Sequence, residues 1–128
     1  MEIISRFGAW ERRQYKRIKR PFLSRLSILK DGLGRFNEWD IVTCQDLSAG
    51  GTLFTYNEEI KIGWAFKFII PFSLARAPID CKGVAIRVAK AHRLYRVGVC
   101  FTQIDEEKRE LINNTINKLY YKNILVSI

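Results

Sequence analysis

Cysteine is scarce in this chain. Cys44, Cys81 and Cys100 are the three present, an odd number, with no Cys-x-x-Cys and no Cys/His pair. That spacing excludes a disulfide framework and the common zinc sites. Small buried hydrophobes in a reducing compartment are the expectation for them. Histidine is scarcer still: His92 stands alone in a short link among basic residues, where a surface position is expected. No apolar run approaches the roughly 18 residues of a membrane span. Met1 to Arg20 carries basic residues but no apolar stretch of the secretory type. A cytoplasmic location is therefore expected. The chain has no Gly-x-Ser-x-Gly elbow and no Gly-x-x-x-x-Gly-Lys phosphate loop. Ser48, Asp46 and His92 thus carry no hydrolytic signal, and no enzymatic activity, metal or cofactor is expected. Internal repeats and low-complexity tracts are lacking as well.

What is present is an ordinary globular composition with an unusual charge. Of 128 residues, 48% are hydrophobic and 27% charged, which suits one domain with a single core. Twenty-two Lys and Arg face thirteen Asp and Glu, a formal charge of +9. Such an excess favours an anionic partner: nucleic acid, nucleotide, phosphate or an acidic membrane. Much of it sits in one cluster. Arg12, Arg13, Lys16, Arg17, Lys19, Arg20 and Arg25 follow one another with no acid among them. Residues 1–11 before the cluster show no sustained period and read as an arm or a short helix.

From Pro21 the dominant period is two, the period of a half-buried strand. Phe22, Ser24, Leu26 and Ile28 share a face. Asp31-Gly32-Leu33-Gly34 reads as a turn. Trp39, Ile41 and Thr43 share the next face, and Gly50-Gly51 breaks the chain before Thr52–Tyr56. Ile62, Trp64, Phe66, Phe68 and Ile70 give the clearest alternation; Trp39 and these aromatics are expected in the core or at an interface. Val84, Ile86 and Val88, then Tyr95, Val97, Val99 and Phe101, complete about six strands. Connections this short demand antiparallel pairing, and six short strands suggest a closed barrel or a sandwich. The end differs. Asp105, Glu106 and Glu107 precede Leu111, Ile112, Ile116, Leu119 and Tyr120, the spacing of a helix with one apolar stripe and acids in its first turn. The expected architecture is all-β with a C-terminal helix: an arm over residues 1–11, one domain over 12–128, a barrel over about 17–104 and a helix over about 105–121.

Two short motifs stand out against this frame. One is Arg13-x-x-x-Arg17; the other is Asp46-x-Ser48-x-x-Gly51. Alone, the first is a solvated basic face and the second a turn between strands. Their order is more specific: an arginine pair before the first strand, the second motif between the next two, then Tyr-Arg-Val-Gly-Val-x-Phe leading into a helix. In this the chain resembles the PilZ domain family, from about Glu11 to about Tyr121. The resemblance implies a six-stranded antiparallel barrel with a helix against it and a flexible basic N-terminal arm. It also implies a ligand, the bacterial second messenger cyclic di-GMP. Arg13 and Arg17 match the family's Arg-x-x-x-Arg motif, and Asp46, Ser48 and Gly51 its Asp/Asn-x-Ser-x-x-Gly motif.

The chemistry of these residue types suits that ligand. Guanidinium forks onto phosphate oxygens or onto guanine O6 and N7, and it stacks on purine faces. A carboxylate such as Asp46 can accept from guanine N1–H and N2–H. Ser48 offers a hydroxyl to phosphate or to its own turn. Gly50 and Gly51 are expected to supply positive φ and close backbone approach. Arg12 precedes the pair directly, and the Arg12-Arg13 doublet favours a stacked pair of ligands over one. The arm is expected to order over the barrel as its arginines engage, the charged hydrogen bonds offsetting the entropy lost. The output would be a contact with a protein partner, in motility, exopolysaccharide or pilus control. Two other readings remain open: a PilZ-shaped protein-interaction domain without ligand, and, less favoured, a small basic barrel that binds nucleic acid.

Overall fold

The computed structural model describes residues 15–29, 38–72 and 77–127, with side chains through residue 119. The arm over 1–11, the Arg12-Arg13 doublet and the turn at Asp31–Gly34 lie outside the described residues. The elements are β1 (Arg17–Ile18), β2 (Phe22–Leu29), β3 (Asp40–Ser48), β4 (Gly51–Tyr56), β5 (Ala65–Ile70), β6 (Ile79–Ala91), β7 (Leu94–Ile104) and α1 (Glu106–Ser127). Strands run in the order β3-β2-β5-β6-β7-β4, and β4 pairs back onto β3. Every pairing is antiparallel, so six strands close into a barrel. β1 is a two-residue addition, pairing Arg17 with Ser48 and Ile18 with Leu47.

The core is where the alternation puts it on β5 and β7. Phe66, Phe68 and Ile70 are buried from one side, Val97, Val99 and Phe101 from another. Phe54 meets Phe66 edge-on at 5.5 Å, and Phe68 meets Phe101 at 5.9 Å. Each such ring removes enough apolar surface to contribute about 1.5–3 kcal/mol, and the edge-to-face geometry adds to that. On α1, Ile112 and Ile116 are buried, as the stripe predicts. Asp105 accepts the Arg109 N–H at 2.9 Å through its carbonyl, starting the helix. The helix continues to Ser127, past the expected end near residue 121, because the segment after Tyr121 has neither glycine nor proline to stop it.

Three places depart from simple alternation. On β3 the buried face carries Val42 and Cys44, while Ile41 is exposed and Trp39 partly so. Both faces of that segment hold apolar residues, so period two alone does not choose between them. Ile62 lies outside β5 in an exposed turn, where Gly63 has φ +94°. On β6 a bulge between Ala85 and Arg87 sends Ala85 inward and leaves Ile86 and Arg87 both exposed.

Cys44 and Cys81 are buried and Cys100 is exposed. Burial, reinforced by the Asp46 charge against an opposing Thr52 hydrogen bond, pushes the Cys44 thiol up to about 11. Burial, with Asp80 and Cys44 nearby, pushes Cys81 up to about 12. Both folded values lie above the unfolded one, near 9. Their contribution to stability is thus complete below pH 9 and falls as the pH rises toward 11 and 12, where only the unfolded chain ionises freely. At pH 8, a thiol reagent is expected to modify Cys100 alone in the native protein, and all three cysteines in denaturant. Equal reaction rates at all three in the native protein would contradict the buried placement.

Candidate functional site

The second motif is built at the hairpin between β3 and β4, and its position depends on a bulge. Cys44 points into the core. The register then shifts between Cys44 and Asp46. After the shift Leu47 points inward, and Asp46 and Ser48 lie on the outer wall. Asp46 and Ser48 are nevertheless buried, because β1 lies beside them.

Asp46 and Ser48 both have defined partners. Asp46 Oδ2 accepts from Arg17 Nη1 at 3.1 Å, and Asp46 Oδ1 accepts from the Leu53 N–H at 3.1 Å. The Asp46 carbonyl accepts from Thr52 Oγ1 at 2.6 Å. Ser48 Oγ accepts from the Gly50 N–H at 3.1 Å and donates to the Gly51 carbonyl at 3.4 Å. The serine hydroxyl therefore closes its own turn. The Gly50 carbonyl accepts from the Phe101 N–H at 2.8 Å, tying the turn to β7.

The glycines serve by size and not by conformation. Positive φ among described glycines occurs at Gly63 and at neither Gly50 nor Gly51, so that part of the expectation is corrected. A Cβ on Gly51 would collide with the Val99 carbonyl oxygen, because β4 presses against β7 there. A Cβ on Gly50 would stand 3.1 Å from Cδ2 of Tyr15. Close approach is the reason for both residues, and only one of the two neighbours is backbone.

The structure thus brings together Arg17, Asp46, Ser48, Gly50 and Gly51. Arg17 is half-buried, and its Nε–H has no partner among the described residues. Arg12 and Arg13 lie outside the described residues, so only the second arginine of the first motif is placed. Sequence reasoning overlooked Tyr15. It occupies a variable position within Arg13-x-x-x-Arg17, yet its ring covers Gly50 and packs on the core. An aromatic residue inside a basic run was the available signal. A separate depression of about 190 Å³, lined by Lys67, Asp80, Lys82 and Gln103 among others, shares no residue with this corner.

The corner offers a fixed guanidinium, a carboxylate with both oxygens engaged and a tight turn, on a rigid wall. The donors of a guanidinium are chemically suited to an anion with hydrogen-bonding edges. No group of three or more His, Cys, Asp or Glu among the described residues is placed to hold a metal. No helix among them is long and apolar enough to cross a membrane.

Comparison with known proteins bears on the fold and the family. No curated protein matches the sequence. Among solved structures, the Bacillus subtilis inhibitor of motility MotI/DgrA superimposes with a TM-score of 0.68 at 15% identity, over 87% of this chain and 52% of that one. The PilZ domain of Escherichia coli YcgR with c-di-GMP gives 0.60 at 16% identity, over 91% of this chain and 97% of that one. The MrkH–c-di-GMP complex of K. pneumonia gives 0.61 at 12% identity, over 88% and 53%. The chain spans about half the length of MotI/DgrA and MrkH. At these identities the likeness establishes the fold. The sequence itself matches the PilZ domain family over residues 11–118, and with the closed six-stranded barrel and its helix in place, the chain belongs to that family.

Proposed function

We propose that the protein is a non-catalytic receptor for cyclic di-GMP. One observation carries the reading. Arg17 and Asp46 come from motifs far apart in the sequence and meet at 3.1 Å, on the corner where Ser48, Gly50 and Gly51 form the turn. The family assignment supports the ligand class, as do structural neighbours solved with c-di-GMP. Arg13 and Arg17 would hold phosphate oxygens or guanine edges. Asp46 would fix Arg17 and the β4 backbone in register for the ligand, and Ser48 and Gly51 would hold the turn against which it rests. Arg12 would reach a second, stacked ligand molecule. The bound arm would then present a changed surface to a protein partner inside the cytoplasm, with motility, exopolysaccharide or pilus control as the output.

Isothermal titration with cyclic di-GMP tests this. The wild type is expected to bind at micromolar affinity or better, about −8 kcal/mol, with two ligands per chain. Arg13→Ala is expected to remove that binding while keeping the thermal midpoint. A folded wild type that takes up no cyclic di-GMP would end the receptor reading and leave an interaction domain of PilZ shape. A stoichiometry of one would end the role given to Arg12.

A further inference from the structure

The outer wall beside the corner continues across three more strands. Asp46 pairs with Leu53, Leu53 with Gly98 and Gly98 with Arg87. Directly paired residues in antiparallel strands point to the same side of the sheet. These four residues therefore form one outward row across β3, β4, β7 and β6. The row below it runs inward: Leu47, Thr52, Val99 and Ala85, all buried.

Both ends of the outward row are set by bulges. One lies between Cys44 and Asp46, the other between Ala85 and Arg87. With regular alternation after Ala85, which is buried, Arg87 would point into the barrel. The bulge places it outside instead. Bulges recur beside binding sites because they re-aim one side chain in this way.

Gly98 makes room for what Arg87 does next. A Cβ at Gly98 would meet Arg87 Cβ at 3.5 Å, Nε at 3.6 Å and Nη2 at 3.6 Å. The arginine side chain is therefore folded back over the bare glycine, with its guanidinium on the surface of β7. No acidic side chain pairs with it among the described residues. Three strand spacings of about 4.8 Å separate the Asp46 and Arg87 backbones, and the guanidinium over Gly98 covers one of them. The Asp46 end of the row has its cation in Arg17, and the far end has Arg87.

From this row we infer that Arg87 is a further ligand-contacting residue of the same site. It holds the anionic dinucleotide from the side opposite Arg17, with Leu53 and Gly98 as the floor between. The inference rests on the cyclic di-GMP reading above. Guanidinium fits either end of such a ligand, since it forks onto phosphate and stacks on guanine.

The test is a titration of the full chain with cyclic di-GMP, comparing wild type, Arg87→Met and Arg93→Met. Methionine keeps an apolar stem over Gly98 and removes the charge and donors. Arg93 is also an exposed cation, in the β6–β7 turn outside the row, so it reports on net charge alone. Arg87→Met is expected to weaken binding roughly tenfold or more, and Arg93→Met by less than about twofold, with thermal midpoints unchanged. Wild-type affinity in Arg87→Met would overturn the inference and leave the receptor reading intact. An equal loss in both variants would overturn it too, by assigning the effect to overall charge. Failure of the wild type to bind would remove the receptor reading itself, and this inference with it.

Discussion

Replacing Gly51 by alanine is expected to be the most damaging glycine-to-alanine change among the described residues. The added Cβ would meet the Val99 carbonyl oxygen, which is backbone in the centre of β7. Backbone held on both sides by a closed barrel cannot step aside as a side-chain end can. Overpacking of this kind costs about 1–3 kcal/mol in an adjustable core, and an unyielding neighbour places Gly51→Ala at or above the upper end. Gly50→Ala supplies the control. Its new methyl would meet the edge of the Tyr15 ring, at 3.1 Å, and that ring belongs to a segment attached by a two-residue strand. Gly50→Ala is expected to lose less than about 1 kcal/mol. Chemical denaturation of the two variants beside the wild type measures both. Matching midpoints for Gly51→Ala and Gly50→Ala would show that the close approach to Val99 is not the constraint.

Asp46→Ala is expected to follow in severity, and to act through two partners at once. Its carboxylate holds the Leu53 N–H through one oxygen and Arg17 through the other. Removal leaves a part-buried N–H without an acceptor and a guanidinium without its counter-charge. Stranding such groups costs about 1–3 kcal/mol for the amide, with less for Arg17 because water still reaches it. A loss of about 2–4 kcal/mol is the expected sum, a fall of roughly 10 °C in a domain of this size. Asp46→Asn separates the parts. Its amide oxygen can still accept from Leu53 N–H, while the charge is gone. It is expected to recover more than half the lost stability and, because the motif admits Asn at this position, to bind cyclic di-GMP better than the alanine variant does. Full recovery of ligand affinity in Asp46→Asn would mean that the charge on Asp46 has no part in holding Arg17 for the ligand.

The fold was readable in the sequence wherever one face of a strand was apolar and the other was not. Phe66, Phe68 and Ile70 on β5, and Val97, Val99 and Phe101 on β7, follow their period into the core. The reading failed where both faces are apolar, as with Ile41 against Val42, and where a bulge resets the period, as at Ile86. A bulge leaves no composition of its own, and it is recognised only once the partner strand is known. The same limit applied to the site. Asp46 and Ser48 could be named from their spacing, but not the role of the carboxylate as a clamp between β1 and β4. Gly51 could be named too, with a reason that the backbone did not support. What makes it necessary is a carbonyl on a strand almost fifty positions later, and no local pattern carries that information.

That distant stitching also governs when the site comes into being. β4 meets β7 through pairs from Gly51 with Cys100 to Tyr56 with Tyr95, and β2 meets β5 through pairs such as Arg25 with Ile69. Long loops must close before either pairing contributes, so a barrel of this topology folds on a millisecond-to-second scale and not in microseconds. The Gly50 carbonyl waits for the Phe101 N–H, and Gly51 is held in place by Val99. A nascent chain still lacking β7 has both motifs written in full and no corner for them to form. The corner is thus complete only after the last strand seals the barrel, so on the receptor reading half-made copies would not sequester the messenger.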